Sequence, residues 1–263
     1  MLKSRLIPVL FLRNGWMVRS ESFSTHQFIG NPMLHVERMV QWDVDELIIL
    51  NISNEGETQF SHGRMDYNGS CIEDMSSFIA NAATACRIPL AFGGRLRSEK
   101  DIENVILSGS DKVVLNTMLF DNKPLVSSSI ETFGSQAIIA SVDYRYIEGV
   151  PLVFRDSGTK NTGIDVVEWC LKCQGLGVGE IFLNSIDKDG IADGYDIETI
   201  IKVEEKLNIP LIACGGAGNK RDFLKCFEQT KISGVAAGNI FHFTENAYPL
   251  AKNYLKQKNI NIR

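Results

Sequence analysis

The chain has no surplus of basic charge: 27 lysines and arginines stand against 32 aspartates and glutamates, a net charge of −5. Such a surface offers no footprint for a polyanion, so nucleic acid is not an expected partner. Histidine is scarce, with four in 263 residues. His26, His35 and His62 stand at no spacing that would chelate a metal, and no metal site is expected. Long apolar runs are missing. The run within residues 1–12 is too short to span a bilayer and ends in no small-residue cleavage pattern, so a soluble, cytoplasmic protein without a membrane partner is expected. A disulfide framework is missing too. Cys71, Cys86, Cys170, Cys173, Cys214 and Cys226 sit in apolar or helical contexts, as in a reducing compartment. Cys170 and Cys173 form a C-x-x-C, but it lies mid-helix within 165–174 and has no second pair. Packing is its expected role.

What is present is alternation. Apolar runs of strand length, rich in β-branched residues, recur at 5–12, 46–52, 88–92, 112–116, 137–143, 180–186, 209–214 and 234–238. Between them, helical periodicity marks 31–42, 71–85, 98–107, 122–133, 164–174, 196–207, 220–227 and 244–257. Start signals agree, with Ser98 three residues before Asp101 and Asn31 before Pro32. Eight strands alternating with eight helices predict an α/β fold, a single (βα)8 TIM barrel over 1–263. An open doubly wound sheet is the rival, but the chain repeats itself, and two like halves close naturally into one barrel. Arg13 and Arg145 are 132 residues apart, Glu46 and Glu180 134, Pro89 and Pro210 only 121. The half-barrels therefore run about 1–134 and 135–263. The first holds about 13 extra residues, which belong to a polar insertion at 53–70. It follows a strand and would hang over the C-terminal face as a lid, a docking element or a plain surface loop.

Each half carries a glycine-rich turn. Ile209-Pro210-Leu211-Ile212-Ala213-Cys214-Gly215-Gly216-Ala217-Gly218 runs from a buried strand through a turn into a helix at 219–227. Ile88-Pro89-Leu90-Ala91-Phe92-Gly93-Gly94-Arg95 does the same. Glycine lets backbone N–H groups close on an anion, and the helix N-terminus adds partial positive charge. Two such turns predict two phosphate cups and a phosphorylated small-molecule ligand. Asp143 ends the fifth strand, where a pair of carboxylates would suit general acid–base work. The matching place on the first strand holds Phe11, which carries no proton.

Asp143 with Arg145, Ser157-Gly158-x-Lys160-Asn161-Thr162-Gly163, Ser185-Ile186-Asp187-Lys188-Asp189-Gly190, Gly215-Gly216-Ala217-Gly218 and Ile240-Phe241-His242-Phe243 follow in this order. Together they closely resemble the HisF cyclase subunit of imidazole glycerol phosphate synthase, over residues 2 to 263. The resemblance implies a (βα)8 barrel that receives ammonia along its axis from a separate, HisH-like glutaminase docked at the N-terminal face. It implies cleavage and cyclisation of a ribulose-containing bis-phosphate in histidine synthesis, with no cofactor. Carried over residue by residue, it places Gly93, Gly94, Asn116 and Thr117 in one phosphate cup. Asp189, Gly190, Gly215, Gly216, Gly238 and Asn239 fall in the other, and Ser157 is also counted as phosphate-binding. Asp143 becomes the catalytic acid–base. Arg5, Glu46, Lys112 and Glu180, each at the start of a strand, become a charged ring gating the ammonia path, where two cations and two anions can cancel. His242 reads as structural.

The departures matter as much as the matches. Arg95 replaces the third glycine of the first cup. The family's first-strand DVKDG is here Phe11-Leu12-Arg13-Asn14-Gly15, so one of two catalytic aspartates is gone; Arg19 replaces a lysine and Asn51 an aspartate. A general acid–base group is worth about 10² to 10⁴ in rate, so cyclisation is expected to be crippled. Members of the family with such departures are linked to sugar amidination for surface polysaccharides. The resemblance then implies an ammonia-conducting barrel that serves a third, amidotransferase enzyme at its C-terminal face. The alternative is a genuine cyclase of histidine biosynthesis.

Overall fold

The computed structural model describes residues 3–53 and 71–263; the insertion expected at 53–70 lies, apart from Ser53, outside the described residues. The chain opens with β1 (Arg5–Arg13), which turns back through β2 (Trp16–Glu21) and β3 (Thr25–Gly30) before α1 (Pro32–Gln41). Then come β4 (Leu47–Asn51), α2 (Met75–Ala85), β5 (Leu90–Gly93), α3 (Glu99–Leu107), β6 (Lys112–Leu115), the short α4 (Met118–Asp121) and α5 (Lys123–Phe133). The second half repeats this order. β7 (Ile138–Ile147) turns back through β8 (Val150–Arg155) and β9 (Lys160–Asp165) to α6 (Val166–Leu176). β10 (Glu180–Ser185), α7 (Ile197–Glu204), β11 (Leu211–Cys214), α8 (Lys220–Gln229), β12 (Gly234–Ala237), the short α9 (Ile240–Phe243) and α10 (Ala247–Gln257) follow.

β1, β4, β5, β6, β7, β10, β11 and β12 pair in parallel in that order, and β12 returns to β1. The sheet is therefore a closed eight-stranded barrel with no open edge. Side-chain alternation divides each strand between two cores. Leu6, Leu10 and Leu12 of β1, with Leu47, Ile49, Ile181 and Leu183, face the helices. Ile7, Val9, Phe11, Ile48, Ala91, Val114, Ile139, Phe182, Ile212 and Ala236 fill the axis. The axis is thus a packed apolar column.

The halves match below the level of strand order. Asn14-Gly15 and Glu148-Gly149 join their strands as two-residue turns with both residues at positive φ (47° and 78°, 50° and 82°). These are type I′ hairpins, whose twist suits paired strands. The sequence reading passed over all four hairpin strands, although Asn-Gly is the strongest short signal for such a turn. For the same reason Asp143 does not end its strand: β7 runs on to Ile147 as a hairpin arm. The helix after it starts later than periodicity predicts, because Asp165 caps α6 by accepting from the Val167 N–H at 2.8 Å. Helix α3 opens on a Ser98/Asp101 capping box and α8 on an Asn219/Asp222 one, again a matched pair. Ile7 pairs with Ala236 and Ile139 with Val114. Phe11 and Asp143, each four residues further along, occupy equivalent places across the barrel.

Candidate functional site

The N-terminal floor is a closed ring of charge. Alternation that turns Ile7 and Val9 inward also turns Arg5 inward at the first position of β1, and does the same for Lys112 on β6 and Glu180 on β10. Arg5 Nη1 donates to Glu46 at 2.6 Å and its Nη2 to Glu180; Lys112 Nζ reaches Glu46 at 2.8 Å and Glu180 at 3.1 Å. Ser233 adds a hydroxyl acceptor to Arg5 at 3.0 Å. Burial opposes charge on Arg5, but Glu180 and then Glu46 outweigh it and raise its pKa. Burial likewise opposes charge on Glu180, and Arg5 with Lys112 outweighs it and lowers that pKa. All four expected floor residues are brought together, each cation touching both anions.

The C-terminal mouth is organised around Asp143. Inward alternation puts Ser141 and Asp143 on the lumen side of β7, and register sets Asn184 of β10 beside Asp143. Asn184 Nδ2 donates to Oδ1 at 3.1 Å and Asn116 Nδ2, from the strand on the other side, to Oδ2 at 3.0 Å. Burial pushes the Asp143 pKa up to about 7 against the Asn184 hydrogen bond, and the charge of Asp189 adds to the rise. Such a carboxyl is balanced between donor and acceptor at neutral pH. Asn184 escaped the sequence reading. Counting inward in steps of two from Glu180 through Phe182 would have found it.

Phe11 closes the opposite wall. It is 4% exposed and packs in the axial cluster with Val18 of the hairpin. A Cβ placed on Gly238 would lie 2.9 Å from its ring. The aromatic ring therefore uses the space that the glycine leaves open. Asn51, at the end of β4, is turned to Ser53, whose Oγ donates to its Oδ1 at 2.6 Å.

The glycine-rich turns follow β5 and β11, which stand on opposite sides of the barrel. Gly94 has φ 88° and Gly215 φ 96°, and a side chain on either would collide with the carbonyl of a neighbouring strand end, Asn51 or Ser185. Arg95 holds φ 61° where the second half has Gly216 at 107°. Gly93 pairs with Val114, two residues before Asn116, and Cys214 with Ala236, two residues before Gly238, so each glycine turn leaves the sheet beside the strand that carries its expected partners. Other expected members are engaged elsewhere. The Asn116 amide is turned to Asp143 and to the Ser141 carbonyl (3.1 Å). Thr117 Oγ1 bonds Asp156 at 3.3 Å, and Ser157 sits exposed at the β8–β9 turn with φ 56°. Asp189 accepts from Ser20 Oγ at 2.6 Å and from the Phe23 N–H at 3.3 Å, so it anchors the β2–β3 hairpin tip. Gly190 is pressed against the Ser20 carbonyl and the Asn239 amide. The N-terminus of α8 departs from the sequence expectation: Asp222 Oδ2 takes the N–H groups of Gly218 and Asn219 at 2.9 and 2.8 Å. The side chain three residues into the helix therefore already occupies N–H groups at that end, that of Gly218 in the turn included.

No group of three metal-ligating side chains exists among the described residues, and none of their helices is long and apolar enough to cross a membrane. Cys170 and Cys173 are buried on α6 as free thiols. Burial raises both thiol pKa values, that of Cys173 to about 12, so neither is a nucleophile.

A family model described as "Histidine biosynthesis protein" matches residues 5–247. The chain is 35% identical over 264 residues to the imidazole glycerol phosphate synthase subunit HisF of Sulfurisphaera tokodaii, covering 100% of both chains. It is 34% identical to that of a Hydrogenobaculum species, again over 100% of each. The HisF subunit of Dehalococcoides mccartyi strain 195 is 35% identical over 263 residues, covering 100% of this chain and 99% of its own. A closed barrel with repeated halves, a charged floor and full-length similarity agree, and the chain belongs to the HisF subunits of the histidine biosynthesis protein family.

Proposed function

We propose that this HisF-type barrel takes ammonia from a HisH-like glutaminase docked beneath the charged floor and hands it on at the mouth. There a third enzyme uses it to amidinate a sugar for surface polysaccharide, and the barrel itself does not cyclise a bis-phosphate at a useful rate. Phe11 carries this reading. It fills the place equivalent to Asp143, so the two matched strand positions carry one proton-handling group where acid–base cyclisation needs a donor and an acceptor. The floor, by contrast, keeps all four charges paired. Above it, the apolar column admits neutral ammonia far more readily than ammonium, because an unpaired charge is costly away from water.

A second reading is a working imidazole glycerol phosphate cyclase in histidine biosynthesis. The relatives favour it: each named above is a HisF subunit of that synthase, similar over its whole length. The near-neutral Asp143 favours it too, since one such group can serve as acid and base in turn. The two readings separate in one assay of the chain purified with its glutaminase and given glutamine and the bis-phosphate. Glutamine hydrolysis with imidazole glycerol phosphate formed about 100-fold or more slower than by the Sulfurisphaera tokodaii pair is expected. Equal rates would establish the second reading.

A further inference from the structure

A cavity of about 410 Å³ lies at the C-terminal rim of the barrel, between the β3–α1 junction and α9. Phe28, Ile29 and Leu34 form its apolar wall; His35, Arg38 and His242 form its polar side, and no carboxylate lines it among the described residues. Arg38 donates to His35 Nδ1 at 2.7 Å and lies 5.7 Å from the Trp42 ring centroid. It has no ion-pair partner among the described residues. The His242 ring meets His35 edge-on, with centroids 5.1 Å apart. Both His242 ring nitrogens are shut away from the surface without a hydrogen-bond partner. A buried polar group left idle is costly, so this one calls for a partner that the described residues do not supply. Burial, then Arg38, holds His35 down at about 4; burial, then His35 and Arg38, holds His242 at about 3. Both rings are therefore neutral at physiological pH, and His242 offers one N–H donor and one acceptor. Among the described residues, the only formal charge in the cavity is the guanidinium. The N-terminus of α1, capped by Asn31, adds partial positive charge nearby.

We propose that this cavity is a second ligand site for a small organic oxyanion, a carboxylate or phosphate monoester with an apolar body. Its charged oxygens pair with Arg38 and its body lies on Phe28, Ile29 and Leu34, while a turn of the His242 ring, whose nitrogens are shut away in this structure, brings its N–H to the same oxygens. The site is independent of the function proposed above, since none of its residues reaches Asp143, the floor or the glycine turns by a hydrogen bond of its side chain.

The test uses the full chain labelled with ¹⁵N-histidine, whose four imidazoles give a simple spectrum; His35→Phe and His242→Phe assign the two of interest. Benzoate and phenyl phosphate, one apolar body with two anionic heads, are titrated separately. Saturable shifts of His35 and His242 with either probe support the site. A response to benzoate alone assigns a carboxylate, to phenyl phosphate alone a phosphate ester. Phenyl phosphate held only in the glycine cups can move His242, which follows Asn239 closely, but leaves His35 still, and a response without His35 overturns the proposal. Arg38→Gln is expected to weaken binding about 10-fold to 100-fold, the loss of one charged hydrogen bond; affinity within about twofold of wild type contradicts the assigned role. Should that variant fail to fold, Leu34→Glu puts a repelling charge on an exposed position of the wall. It is expected to abolish the shifts, and retained binding would refute the site.

Discussion

Asp143 receives one amide N–H on each carboxylate oxygen, yet its pKa stands near 7 because burial outweighs those bonds. In the unfolded chain the same group titrates near the ordinary aspartate value of 3.8. Between those two pH values the folded protein holds a proton that the unfolded chain has released. Its contribution to stability is therefore full below about pH 4 and is lost as pH rises through 7. Asp143→Asn removes that dependence. Its stability relative to wild type should improve from pH 4 to pH 8 by on the order of 2–4 kcal/mol, read from urea unfolding at both pH values. A constant difference would mean that Asp143 titrates in the ordinary carboxylate range. Of the mouth, Asp143 and the Phe11 replacement were legible in the sequence because the two halves align. The two asparagines that clamp Asp143 were not. Their roles depend on which strands are neighbours and on the register between them, and neither is written in any local run.

At the scale of elements, the barrel strands and the helices between them were legible because alternation and helical period differ so plainly. The hairpins were missed for a different reason. Trp16–Glu21 and Thr25–Gly30 are polar on one face and continue no barrel pattern, so only the turn chemistry of Asn14-Gly15 marks them. The floor ring was legible as four charges opening four strands, but its closure is a property of the barrel. Lys112 is the half-ring that joins Glu46 and Glu180 opposite Arg5. Lys112→Ala leaves two buried glutamates against one arginine, at a cost of about 1–3 kcal/mol given that the lysine is partly exposed. In the complex with the glutaminase, ammonia delivered to the mouth per glutamine hydrolysed should fall. Unchanged coupling would show that the ring is only a structural rivet.

Across the whole molecule, the two halves agree in strand order, hairpin turns, helix caps and glycine turns, although three of the four floor charges, Arg5, Glu46 and Lys112, come from the first half and Glu180 alone from the second. The disagreement that bears on chemistry is at one pair of equivalent places, an aromatic ring facing a carboxyl across the mouth. If that ring is what stops cyclisation, restoring a carboxyl should restart it, even though a buried aspartate lacks the packing of the ring it replaces. The direct measurement is the rate of imidazole glycerol phosphate formation from the bis-phosphate and ammonium salt by Phe11→Asp beside wild type, both confirmed folded by their near-ultraviolet circular dichroism. A rise of about 100-fold over a near-silent wild type is predicted. A wild-type chain that already cyclises as fast as its variant would contradict the account.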